Sequence, residues 1–192
     1  MNLVNGDGSG GRGGHGGYGG PSDTGGHQEK GQFKRVKTKR RTMIQVFQYP
    51  HETLAQLSSE WKHGDTIQGY NDTEKFEQDM IKLMLEERGM GLAANQIGIT
   101  KRFFAIGHDS FDTFQKHAII WNPQVINSSK EKVIDVEGCL SFKDIFVKVE
   151  RPKVIEVQYE TTQGKTKFAK LDGMESKCFQ HELDHLDGIT FN

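Results

Sequence analysis

Gln180, His181, Glu182, Leu183, Asp184 and His185 form the stretch that most restricts how this chain can fold. Two histidines four residues apart share one face of an α-helix, about one turn from each other, so both imidazoles reach a single metal ion while Glu182 stands beside the water there. A helix is therefore required here, and its chemistry is that of a metal-dependent hydrolase. Such a site takes three protein ligands and keeps one position open for water, so another ligand must come from elsewhere in the chain. The same pattern also arises on ordinary solvated helices, and the third ligand decides between the two readings.

Only seven residues follow His185. Thermolysin-like zincins take a glutamate from a later helix, which Leu186 to Asn192 is too short to form. Metzincins continue with a glycine and a third histidine; Gly188 occupies the glycine position, but Phe191 stands where the histidine belongs. Upstream, Glu137, Gly138, Cys139, Leu140 and Ser141 follow the β-branched run Val133, Ile134, Val136, which reads as a strand. A thiol at that strand end can fold back onto the helix.

A third segment runs Gly89, Met90, Gly91, Leu92, Ala93, Ala94, Asn95, Gln96. Glycines 89 and 91 let the backbone approach a ligand, small residues at 93 and 94 allow tight packing, and the Gln96 amide can donate to an oxyanion. Taken in order, Gly-x-Gly-Leu-Ala-Ala-x-Gln, Glu-Gly-Cys-Leu-Ser and Gln-His-Glu-x-Asp-His resemble the three signature motifs of peptide deformylases. The resemblance spans Met43 to Asn192, including Val46, Phe47, Gln48, Tyr49 and Pro50, which are similar to the family's opening strand.

That resemblance implies removal of the formyl group from the N-terminal formyl-methionine of nascent polypeptides. It implies Cys139, His181 and His185 as metal ligands, Glu182 as general base and acid, and Gln96 with the Leu140 backbone N–H as oxyanion donors. A thiolate with two imidazoles suits zinc, iron, nickel or cobalt alike, so ligand type leaves the metal open; the family implies Fe(II). Met90 and Gly91 are expected to pair with an extended peptide. Met174, Lys177 and Cys178 are expected to border the methionine pocket, although Cys178 also suits a small buried filler. Glu137 and Asp184 are expected to be held by an arginine, with Arg102 the candidate.

The chain departs from the family at three places. Lys177 replaces an aliphatic residue facing the pocket, Phe142 and Lys143 replace the usual proline turn, and the sequence stops at Asn192 without a C-terminal helix. The ribosome docking attributed to that helix does not carry over, and short forms of this kind resemble bacteriophage members.

Thirteen of the 23 glycines fall between Gly6 and Gly31. A stretch with so little apolar surface does not offset the backbone entropy of ordering, about 1–2 kcal/mol per residue, so residues 1–42 are expected to be a disordered tail before a catalytic domain at 43–192. Six of the eight residues 34–41 are basic. Such a cluster can bind nucleic acid, but with a net charge of -1 over the chain a solvated linker is the simpler reading. Without an apolar h-region or a long apolar span, the expected place is the cytoplasm of a bacterial or phage-infected cell. Two other readings are a metallopeptidase of the His-Glu-x-x-His type and a catalytically idle ribosome- or RNA-associated relative that uses the basic tail.

Hydrophobic periodicity places a helix from Asn71 or Asp72, capped through Glu74, with a core stripe of Phe76, Met80, Ile81, Met84 and Leu85, stopping at Gly89. Strands are expected at 46–50, 102–107, 117–122, 133–136, 145–149, 154–159 and 166–171, with a last helix from Asp172 or Gly173 to Asp187. The fold class is α+β, with mostly antiparallel sheets packed around a central metal-binding helix.

Overall fold

A computed structural model of the chain describes residues 44–62 and 64–190. The glycine-rich and basic segment 1–42 lies outside these residues. The order of elements is α1 (Thr73–Glu86), β1 (Gly91–Ala93), β2 (Phe103–Ile106), β3 (Ala118–Ser128), β4 (Lys132–Cys139), β5 (Phe142–Pro152), β6 (Val154–Glu160), β7 (Thr166–Asp172) and α2 (Gly173–Leu186). Short 3₁₀ turns cover Glu52–Ala55 and Ala94–Ile97.

Five strands form an antiparallel sheet in the order β1-β2-β3-β6-β7, and β4 and β5 form a separate antiparallel ribbon. α2 packs on β1, β2, β6 and β7 and also meets β5, so the second helix lies between the sheet and the ribbon. This is the α+β arrangement expected from the sequence.

α1 starts at Asp72, whose carboxylate accepts from the Glu74 N–H at 2.9 Å. Glu74 is thus the second helical residue rather than the third, which removes the expected capping box. Phe76, Met80, Leu83 and Met84 form the buried stripe, whereas Leu85, one position past it, is 48% exposed. The helix ends in a Schellman turn: Gly89 N–H bonds Met84 O at 2.8 Å and Arg88 N–H bonds Leu85 O at 3.0 Å. Arg88, not Gly89, takes the left-handed backbone, with φ 60°. Gly89 has a different constraint, since a Cβ there would stand 2.8 Å from Leu140 Cδ1.

Residues 46–50 are not a strand. The segment is an irregular strap: Phe47 N–H bonds Gln96 O at 2.7 Å, Tyr49 N–H bonds Ser141 O at 2.9 Å, and the Gln48 amide donates to Leu140 O at 2.9 Å. It therefore joins the first two motifs. β5 continues through Arg151 and Pro152, beyond the expected break, and β3 runs on to Ser128 past a register shift after Trp121.

Candidate metal centre

Cys139 ends β4, while His181 and His185 lie one turn apart on α2. One ligand atom from each lies within 4.8 Å of the others, and all three side chains are buried. Cys139 Sγ is 3.1 Å from His185 Nε2. A soft sulfur and two imidazole nitrogens converging at that separation fit one divalent cation.

The surrounding carboxylates orient these donors. Glu137, on β4 two residues before Cys139, is fully buried and lies 3.0 Å from His181 Nδ1. Burial alone would raise its pKa, but hydrogen bonds from His181 and Arg151 outweigh that and hold it at about 2. An ionised carboxylate only accepts, so the His181 Nδ1 carries the proton and Nε2 keeps its lone pair for a ligand bond. Burial lowers the His181 pKa to about 4 against the opposing pull of Glu137, and burial also pushes His185 well down. Both shifts favour the neutral ring, the form that ligates a metal. Burial pushes the Cys139 thiol up to about 11, so taking a cation costs it a proton.

The arginine that holds Glu137 and Asp184 is Arg151, not Arg102. Arg151 Nε and Nη2 donate to Glu137 at 2.5 and 3.0 Å, and Nη1 donates to Asp184 at 2.8 Å. Arg102 instead pairs with Asp187 at 2.6 Å. Arg151 carried a readable signal, because it continues the alternation Val147, Val149 and puts a charge in the apolar phase of a strand.

Glu182 is 0% exposed, and neither carboxylate oxygen has a hydrogen-bond partner among the described residues. Burial raises its pKa to about 7. Gly91 makes the room for it, since a Cβ at 91 would approach Glu182 Cδ to 2.6 Å. Gln96, on the 3₁₀ turn, is buried; its Oε1 accepts from Ala93 N–H at 2.8 Å, and its Nε2 donates to Ser141 Oγ at 3.0 Å and lies 3.5 Å from Cys139 Sγ. Leu140 sits in the turn between β4 and β5. The Asn95 amide, a contact the sequence did not reveal, donates to the His185 carbonyl.

Glu175, also missed, fixes the start of α2 by accepting from the N–H groups of Thr113 at 3.0 Å and Phe114 at 2.7 Å. A cavity of about 220 Å³ opens beside the ligands, lined among others by Phe142, Val147, Arg151 and Ile189. The residues expected to contact substrate, by backbone at Met90 and Gly91 and by side chain at Met174, Lys177 and Cys178, are dispersed. Met90 is in the core, while Gly91 is on β1, an edge strand of the sheet. Cys178 is fully buried in the core with its thiol pushed up by burial, so it packs rather than lines the cavity beside the ligands. Met174 is 40% exposed, and Lys177 is buried in an ion pair with Asp135.

The polypeptide deformylase family model matches residues 43–192. The chain belongs to that family. A peptide deformylase of Bartonella tribocorum is 38% identical over 144 residues, covering 74% of this chain and 78% of the relative. The crystal structure of the Thermotoga maritima peptide deformylase has a TM-score of 0.69 and 33% identity, covering 78% of this chain and 95% of its own. A probable peptide deformylase from Synechococcus phage S-SSM7 has a TM-score of 0.67 and 34% identity, covering 77% and 97%. The enzyme is accordingly a hydrolase that removes N-formyl groups from formyl-methionyl nascent peptides.

Proposed function

We propose that deformylation here is carried out by Glu182 beside a cation held by Cys139, His181 and His185. The observation that carries this assignment is the convergence of the three ligand atoms within 4.8 Å next to a buried glutamate. When bound, the divalent cation, Fe(II) by family resemblance, supplies Lewis acidity to the formyl carbonyl and to the attacking water.

Glu182 takes a proton from water as the water oxygen bonds to the formyl carbon, and a pKa of about 7 suits both halves of that exchange. The Gln96 amide and the Leu140 backbone N–H donate to the carbonyl oxygen as it gains charge. Glu182 then passes the proton to the amine nitrogen as the C–N bond breaks, leaving formate and a free N-terminus. β1 is the end strand of its sheet, and its edge at Gly91 accepts the peptide as an added strand. Nascent formylated chains as substrate support a location in the cytoplasm of a bacterial or phage-infected cell.

Protein purified without oxygen and analysed for metal is expected to release formate from a formyl-methionyl tripeptide and to leave its internal peptide bonds intact. Full metal content without formate rejects the proposal. Glu182→Ala is expected to lose turnover by about 10²-fold or more with metal retained, and Cys139→Ala to lose metal. Removal of residues 1–42 tests the basic tail: unchanged ribosome or RNA binding excludes a role for residues 34–41.

A further inference from the structure

The ribbon of β4 and β5 supplies one ligand and α2 the other two, yet the ribbon is separate from the five-stranded sheet. A two-stranded ribbon is marginal by itself, so its position depends on what it packs against. Apolar packing does little of this. Among the described residues neither strand adds a side chain to the core that the helices share with the sheet, and Val133, Ile134, Val136, Ile145 and Phe146 are exposed. Polar contacts to α2 hold the ribbon instead.

Those contacts follow a matched spacing. Along β4, Cys139, Glu137 and Asp135 alternate onto one face in steps of two residues, about 6.6–6.8 Å each. Along α2, His185, His181 and Lys177 follow one face in steps of four residues, about 6 Å each. Strand and helix therefore meet at three rungs. Cys139 faces His185 at 3.1 Å, Glu137 faces His181 at 3.0 Å, and Asp135 forms an ion pair with Lys177. The first rung joins two ligands and the second orients one. The third touches no ligand, but it pins β4 about 13 Å from Cys139, four residues along the strand. Arg151 with Asp184 at 2.8 Å, and Gln180 with the Pro152 carbonyl at 3.0 Å, tie the helix to β5, the strand without a ligand.

We infer that the Asp135–Lys177 ion pair is a positioning device for the metal centre, holding β4 against α2 so that Cys139 stays within reach of a cation on His181 and His185. This inference rests on the ligand assignment above. Lys177 is buried, while the Asp135 side chain is 51% exposed. A lysine ammonium gives up water there only against a partner, and Asp135 reaches over to be that partner. With the pair intact, β4 is attached at both ends of its seam with the helix. Without it the strand is anchored near the ligands alone, so the thiol spends part of its time away from the imidazoles. Apparent affinity for the cation falls in proportion to the fraction still assembled.

The test measures Zn(II) affinity of the full chain by competition with a chromophoric chelator, together with deuterium exchange of β4 and β5. Asp135→Ala and Lys177→Ala are each expected to weaken Zn(II) binding about 10-fold, the lower end of the range for removing a support of a ligand. The double variant should be no weaker than either single one, because all three lose the same contact. Amides of β4 and β5 should exchange faster in these variants while those of β3 and β6 keep their wild-type rates. The charge-exchanged variant, Lys177→Asp with Asp135→Lys, should recover affinity and protection, which a general loss of structure would not do. Zn(II) affinity within about twofold of wild type in both single variants, or an exchanged pair no better than the double variant, overturns the inference. If Asp135→Ala does not fold, Lys177→Ala decides, since it leaves no buried charge unpaired. Cys139→Ala that binds Zn(II) as tightly as wild type rejects the ligand assignment itself.

Discussion

Glu182 is the residue on which the proposed chemistry turns, and its setting is made by a neighbour with no side chain. Gly91 leaves the volume that the carboxylate occupies. Gly91→Ala is expected to displace Glu182 and lower kcat by about 10²-fold, the scale for losing a positioned general base, while metal analysis shows the cation still bound. Retained activity would show that Glu182 works from another position. Glu137 gives a second residue-scale prediction. Its folded pKa of about 2 lies below the ordinary value of 4.5, so the unfolded chain binds the extra proton between those values. The stabilisation is therefore complete above pH 4.5 and is lost as pH falls toward 2. Glu137→Gln leaves Arg151 with only Asp184 and should cost about 3–5 kcal/mol at neutral pH, the scale for breaking a buried pair. Urea unfolding should show the wild-type advantage shrinking below pH 4.5; an advantage constant down to pH 2 would contradict the ionised pair.

At the scale of elements, termini differ from the simplest sequence reading where tertiary contacts intervene. Gly89 looked like the helix stop, yet Arg88 takes the left-handed position because Gly89 is needed against Leu140. Arg88→Gly is expected to stabilise the protein by about 0.5–1 kcal/mol, measured by thermal unfolding, since glycine adopts that backbone without strain. Destabilisation would mean that the Arg88 side chain matters more than its φ. The long strands and both helices were legible because their periodicity is set by burial on one face: Phe76, Met80 and Met84 on α1, Val154 to Tyr159 on β6. β1 is only three residues long and buried throughout, so it carries no alternation to read. The strap at 46–50 satisfies its backbone through Gln96 and Ser141, partners more than forty residues away, and likeness to the family's opening strand could not separate that from a strand. The three side chains that converge at the proposed metal centre were legible from their chemistry. Arg151 was passed over in favour of Arg102 because only the antiparallel pairing of β4 with β5 brings it to Glu137.

For the whole molecule, the site lies where sheet, ribbon and second helix meet, so occupancy and folding are coupled. Cys139 comes from the ribbon and both histidines from a helix packed on the sheet. A cation that binds only when all three are assembled stabilises the folded state by mass action, about 2.7 kcal/mol at a hundredfold excess over its Kd. Chelation is therefore expected to lower the melting temperature, and restoring the metal to recover it. The same step should release about one proton near pH 7, because the metal-free thiol is held up to about 11 by burial while a ligand sulfur is a thiolate. Calorimetric titration in buffers of different ionisation enthalpy measures that proton. In Cys139→Ser the release at pH 7 should fall away along with most of the affinity, whereas in Cys178→Ser it should persist, because Cys178 belongs to the core and not to the ligand set. Unchanged proton release in Cys139→Ser would remove the thiol from the metal site.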